Sequence, residues 1–317
     1  MPRSLREPIG LAYLLARATD TVADTPLIPR AERLRHLETL RRVFTGESTD
    51  TAAVSAACAT DQVDLAERSL LERVGEAVER VEALSAADRR QVRRVLATIT
   101  AGQIFDLERF PSEDAAGLTA LSSREELDRY TYLVAGCVGE FWTALHVAHR
   151  PALAGWDLAH MSAQGIRFGK ALQMTNVLRD VPRDLRSGRC YLPADELAAR
   201  GLAPRDLLDA ERTRAARPLF ENLLAMTLEH YDVAWRYTLA IPRREWRMRF
   251  ACTWPLMIGL RTLAVLAAHS DPLAVATPVK ISRTVVRRVL AGSALMVWSN
   301  RALVTEAAQL RRRARRT

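Results

Sequence analysis

The chain is poor in the residues that build β-rich or disulfide-stapled folds. Of 317 residues only 14 are Gly, 14 are Pro and 6% are aromatic, too few turn formers and strand-favouring rings for a sandwich or barrel. Its four cysteines, Cys58, Cys137, Cys190 and Cys252, form no CxxC pair and do not cluster. That excludes a disulfide scaffold and points to a reduced, cytoplasmic setting. No G-x-G-x-x-G loop follows a strand-like run, so any nicotinamide site is not of the Rossmann kind. No secretory leader is read at the start of the chain. The apolar stretches at 256–268 and 289–298 are interrupted by Arg261 or fall short of the roughly 20 residues that cross a bilayer.

What is abundant points to helices. Hydrophobic residues make up 49% of the chain, enough for a sizeable core, and Ala, Leu and Arg dominate. Apolar residues recur with helical spacing, as in Leu34, Leu37, Leu40 and Phe44. Turn chemistry marks loops at 25–29, 46–48, 110–112 and 271–272. Ser85 with Asp88 and Ser123 with Glu126 have the spacing of capping boxes. The expectation is an all-α protein of nine or ten helices in a single domain over 1–317, ending in a basic tail at 308–317.

Lys and Arg number 46 against 37 Asp and Glu, a formal charge of +9. Such a balance favours anionic partners. A nucleic acid is not among those expected, because no aromatic-interleaved basic patch is present. The closing LRRRARRT reads as solvated charge, with docking on an anionic membrane surface as the alternative.

Two constellations carry chemistry. In Arg17-Ala-Thr-Asp20-Thr-Val-Ala-Asp24, on a helix expected from about Ile9, the i,i+4 spacing puts Asp20 and Asp24 on one face, with Arg17 one turn earlier. Like charges so placed repel unless a cation lies between them. Mg²⁺ suits them, taking one or two carboxylates and completing its shell with water and phosphate oxygens. The second copy is Gln173-Met-Thr-Asn176-Val-Leu-Arg179-Asp180-Val-Pro-Arg183-Asp184. Here Gln173, Asn176, Asp180 and Asp184 follow one helical face, with Pro182 expected to kink the helix near Asp184. Two such pairs would form facing metal clamps if their helices packed antiparallel around a cavity.

Between the pairs, Tyr130-Thr-Tyr132-Leu-Val-Ala135-Gly136-Cys-Val-Gly139 sets two glycines three apart within a helix, each costing about 1 kcal/mol against alanine. Either a second helix approaches closely there, or the missing side chains make room for an apolar ligand beside a tyrosine hydroxyl. Arg189 follows the second pair on a short loop, from which it could reach phosphate oxygens. His146, His149 and His160 lack acidic or Cys partners for zinc and read as hydrogen-bonding side chains.

Taken in order, Asp20-Thr-Val-Ala-Asp24, the run from Tyr130, Leu172-Gln-Met-Thr-Asn-Val-Leu-Arg-Asp180 and Gly188-Arg-Cys-Tyr-Leu-Pro193 resemble the motif set of the squalene/phytoene synthase family. The resemblance implies the isoprenoid synthase fold. It also implies Mg²⁺ held by Asp20, Asp24, Asp180 and Asp184, diphosphate contacts from Arg17, Gln173, Asn176, Arg179 and Arg189, and Tyr130 as an active-site tyrosine. The substrate expected from it is an isoprenoid diphosphate. Within the family, the Asp-Thr-x-x-Asp motif, Cys252-Thr-Trp-Pro255 and Val279-Lys280-Ile281 are similar to segments of squalene synthases. By that similarity Lys280 would meet NADPH, and two farnesyl diphosphates would give squalene through presqualene diphosphate. The same fold in other members makes phytoene, dehydrosqualene or presqualene diphosphate, or acts without catalysis as an assembly factor. The family's arginine-bearing first helix has no counterpart in this sequence, and peripheral membrane contact is a further expectation.

Overall fold

In the computed structural model, residues 2–59, 62–274 and 281–315 are described. Lys280 and Val279 lie outside them. The described residues form fourteen α-helices and one pair of two-residue strands, and they divide into two compact units: 1–108 with 140–151, and 109–139 with 152–317.

The first unit opens with α1 (Arg3–Asp24), which begins six residues before the expected start at Ile9 and carries Pro8 inside its second turn. Leu11, Leu15, Ala18 and Val22 of α1 are buried, each large aliphatic contributing about 1.5–3 kcal/mol on burial. They pack on α2 (Arg30–Thr45), α4 (Leu65–Glu72) and α5 (Val74–Glu82); α3 (Ala52–Ala59) packs against α4. Gly46 closes α2 with φ +85, the left-handed cap that glycine adopts without strain. Next comes α6 (Ala86–Arg109), whose start is fixed by the Ser85 hydroxyl accepting from the Asp88 amide at 3.2 Å.

In the second unit α7 (Arg124–Thr131) is capped by Ser123, which accepts from the Glu126 amide. The reciprocal half of that capping box is absent: the Glu126 carboxylate binds the hydroxyl and amide of Ser122 and pairs with Arg109. A wider, π-type stretch at Tyr132–Gly136 leads into α8 (Cys137–His149), which from Glu140 onward belongs to the first unit. The longest helix, α9 (Leu158–Arg186), packs on α11 (Arg217–Ala240), α12 (Trp246–Ala267) and the π-type stretch; α10 (Ala194–Ala198) is a short turn before α11. The chain passes unbroken through Pro182, which costs α9 one backbone hydrogen bond without ending it. α12 is long and apolar enough to cross a membrane by composition, yet 56% of its most apolar 18-residue window is buried in the protein, and Arg249, also buried on α12, donates from its guanidinium to four backbone carbonyls. α13 (Arg283–Met296) and α14 (Asn300–Arg315) complete the unit on α12.

Residues 308–315 are helical, and Arg312, Arg313 and Arg315 among them are exposed. They are the last two turns of α14, with Leu303, Leu310 and Ala314 buried and Arg311 paired with Asp232 of α11. The sequence showed the arginines. It did not show that Leu303, Leu310 and Ala314 line up on one face at helical spacing to seat them.

The glycine pattern resolves as close contact. A Cβ on Gly139 would stand 1.8 Å from the Gly165 carbonyl oxygen, and one on Gly169 would stand 2.1 Å from the Ala135 carbonyl oxygen. Backbone meets backbone there, and neither chain can retreat as a side chain would. Gly139→Ala should accordingly lower unfolding stability by about 1–3 kcal/mol or more through overpacking, read from urea denaturation. Gly155→Ala, where an added Cβ meets nothing within 4 Å, should leave the midpoint within about 0.5 kcal/mol of the parent.

Candidate active site

The first acidic pair sits at the C-terminal end of α1. Asp24 is exposed and Asp20 is half-buried beside a cavity of ≈ 290 Å³ that Arg17, Asp20, Asp24, Gln62 and Glu67 help to line. Burial pushes the Asp20 carboxyl above its ordinary value of 3.8, and the charge of Asp24 adds to the rise. Gln103 of α6 opposes both by donating to Asp20 Oδ1 at 2.6 Å. Arg17 does not turn to Asp20 as its spacing suggested. Its guanidinium pairs with Glu67 of α4, which also accepts from Gln62 Nε2 at 3.1 Å. Gln103, Gln62 and Glu67 had no signal in the sequence, since each lies more than 35 residues from the aspartates and belongs to no local pattern.

The second pair belongs to α9. Asp180 is buried and gripped by its neighbour Arg179 through two hydrogen bonds, Nε to Oδ1 at 2.9 Å and Nη2 to Oδ2 at 2.5 Å. That fork holds the Arg179 guanidinium above its usual range. One turn on, Asp184 lies 3.6 Å from Arg183 Nε. The polar ladder predicted along this face is present in its upper part: Asn176 Nδ2 donates to Gln173 Oε1 at 3.4 Å, and Gln173 Nε2 donates to the Tyr130 hydroxyl at 3.4 Å. Tyr130 is buried and stacks on Tyr191, with ring centroids 4.8 Å apart. Arg189 is not on a free loop. It forms β2 (Arg189–Cys190), paired in parallel with β1 (Thr119–Ala120), after a turn at Gly188 with φ +76. A Cβ there would come within 2.6 Å of the Asp114 carbonyl oxygen, so the turn that aims Arg189 requires glycine.

Lys170, buried on α9, donates to Asp128 at 2.6 Å. The cysteines are ordinary buried thiols, and burial pushes Cys190 up to about 12. His146 Nδ1 lies 2.9 Å from the Trp142 carbonyl oxygen, and His149 Nε2 lies 2.8 Å from Asp88 Oδ1.

Among the described residues no three His, Cys, Asp or Glu side chains converge as a closed metal site. The carboxylates occur instead in twos, as hard oxygen donors beside arginine. Paired hard oxygen donors suit a divalent cation that shares its shell with phosphate oxygens. Burial first and the charge of Asp24 second raise the Asp20 carboxyl, and a cation there would oppose both.

The sequence profile of squalene/phytoene synthases matches residues 1–287. The chain belongs to the squalene/phytoene synthase family. It is 30% identical over 267 residues to the 15-cis-phytoene synthase of Synechocystis sp., covering 82% of this chain and 67% of that protein. It is 29% identical over 242 residues to the phytoene synthase of Arthrospira platensis, covering 74% and 67%. The chain thus spans about two thirds of the length of both. Among solved structures, the complex of TcSQS with the ligand BPH1237 superposes with a TM-score of 0.74 at 21% identity, over 100% of this chain and 91% of the other. Squalene synthase HpnC from Alicyclobacillus acidocaldarius gives 0.57 at 18% identity, over 84% of each. At these identities the structures establish the shared all-α isoprenoid synthase fold.

The raised Asp20 carboxyl sets a pH dependence. Because the folded carboxyl titrates above the unfolded one, the folded state holds the extra proton between the two values, and stability falls as pH rises through that window. Below pH 3.8 the penalty is absent, and above the folded value it is complete. Asp20→Asn should therefore be more thermostable than the parent at pH 7 and not at pH 3.5, as seen by differential scanning calorimetry. Added Mg²⁺ at pH 7 should raise the melting temperature of the parent and not of the variant.

Proposed function

We propose that the chain catalyses head-to-head condensation of two isoprenoid diphosphates. The observation that supports this reading is that the chain, a member of this family, carries two DxxxD helices, each with arginine at hand. In the reaction one allylic diphosphate loses its diphosphate, and the C2–C3 double bond of a second attacks the resulting cation. A proton is then lost as the cyclopropylcarbinyl diphosphate closes. Mg²⁺, when bound by Asp20 and Asp24 and by Asp180 and Asp184, supplies charge that stabilises the departing diphosphate.

The protein's own residues do the rest. Arg179 presents to Asp180 the same planar fork that fits phosphate oxygens, so it exchanges the carboxylate for the diphosphate as substrate enters. Arg189, fixed on β2, and Arg17, released from Glu67, add further cations. Gln173 and Asn176 offer neutral donors that need no charge compensation. The Tyr130 hydroxyl, held by Gln173 and by stacking on Tyr191, is placed to take up or pass on the proton lost in ring closure. Leu178, Val177 and Met174 pack α9 tightly behind these groups, which limits water at a carbocation.

For the product, the Asp-Thr-x-x-Asp motif and Cys252-Thr-Trp-Pro255 favour two farnesyl diphosphates and a C30 hydrocarbon, squalene. A second reading, geranylgeranyl diphosphate giving phytoene, is favoured by the names of the relatives in cyanobacteria. Completion to squalene would expel the remaining diphosphate, rearrange the resulting cation and quench it with a hydride from NADPH, whose expected partner Lys280 lies outside the described residues.

Incubation of the protein with Mg²⁺ and either farnesyl or geranylgeranyl diphosphate, with and without NADPH, and product mass spectrometry tests both readings. Asp180→Asn should lower turnover by about 10²-fold or more while helical circular dichroism is unchanged. Consumption of neither substrate by the parent protein would reject the catalytic reading in favour of a non-catalytic relative.

A further inference from the structure

The closing turns of α14 form a feature that the condensation does not use. Arg311, Arg312 and Arg315, with Arg236 of α11, line a groove of ≈ 370 Å³ inside the second unit. Its floor is apolar: Trp235 and Leu239 of α11, Leu260 of α12, Val304 and Ala308 of α14. This volume is within the range of small-molecule sites.

Charge in the groove is one-sided. Against four guanidiniums the lining holds one carboxylate, Asp232, already paired with Arg311, and exposed Glu229 lies nearby. Burial pushes the Asp232 carboxyl upward, with Arg311, Arg315 and Arg236 pulling it back. Among the described ion pairs none engages Arg236, Arg312 or Arg315, and all three are exposed. Two buried donors on the same walls, the indole Nε1 of Trp235 and Nε of Arg311, have no hydrogen-bond partner. Trp235 is only 6% exposed, so bulk water does not solvate that indole.

We propose that this groove binds one phosphate-bearing lipid, its phosphate among Arg236, Arg312 and Arg315 and its chain along Trp235, Leu239 and Val304. Clustered guanidiniums select phosphate through planar, multiple N–H contacts. The apolar floor selects an amphiphile over a free anion. The site is independent of the condensation reading, because none of its residues belongs to the acidic pairs or their partners.

The test is isothermal titration calorimetry of the whole protein with monomeric dihexanoyl phosphatidate and with inorganic phosphate. It is joined by sedimentation with phosphatidylcholine vesicles with and without phosphatidate. Dihexanoyl phosphatidate should bind more tightly than inorganic phosphate, and Arg312→Glu/Arg315→Glu should weaken it at least about tenfold. Ala308→Phe, which fills the floor, should weaken the lipid and leave inorganic phosphate unchanged. Arg312→Gln alone, at an exposed position, should weaken the lipid in the same direction and guards against a folding defect in the double variant. Phosphatidate-dependent sedimentation lost in the double variant would place the lipid in a bilayer; calorimetric binding without sedimentation would make it a dispersed amphiphile. Unchanged affinity in both arginine variants, or inorganic phosphate binding as tightly as the lipid, would overturn the proposal.

Discussion

The second unit depends on one close approach. At Gly139 against Gly165, and at Gly169 against Ala135, the backbones of the π-type stretch, α8 and α9 meet with no side chain between them. A helix held that near can move neither sideways nor along its axis without a clash. This pins α9, and with it the Gln173, Asn176, Asp180 and Asp184 face. It also sets the end of α7 beside α9, which is why the Tyr130 hydroxyl comes within reach of Gln173 and its ring within reach of Tyr191. The widened turn at Tyr132–Gly136 is the local adjustment that lets two glycines and a tyrosine share this contact.

Charge placement follows a consistent logic in both acidic segments. Each carboxylate pair has a guanidinium close by in the chain, yet the two arginines are parked differently: Arg17 on Glu67 of another helix, Arg179 on the adjacent Asp180. In either case the arginine is held by a carboxylate. Asp20 carries the strain of the arrangement. Its burial is offset only in part by Gln103.

The surface of α14 differs in charge from the acidic pairs. There arginines outnumber carboxylates over an apolar floor, whereas the DxxxD segments carry carboxylates in pairs. The same residue type thus serves two roles that differ by what surrounds it. Beside aspartates it balances charge, and beside Trp235 and Leu239 it leaves charge unbalanced.

Local chemistry was legible from the sequence because its causes are local. Helical spacing put Asp20 with Asp24 and Asp180 with Asp184, the serine caps at Ser85 and Ser123 opened their helices, and the turn residues broke them where expected. The ordered motifs were sufficient to indicate the family, since residue type and order are properties of the chain itself. Partners distant in sequence were not legible. Glu67 for Arg17, Gln103 for Asp20, Tyr191 for Tyr130 and Asp232 for Arg311 are joined only when helices pack. The basic terminus looked like solvated charge because a short run of arginines hides the wider spacing of Leu303, Leu310 and Ala314 that seats it. The two glycines left contact and ligand space equally open, because an empty Cβ position has the same sequence whatever fills it. Only the tertiary structure, by bringing a carbonyl oxygen to 1.8 Å from that position, decided which.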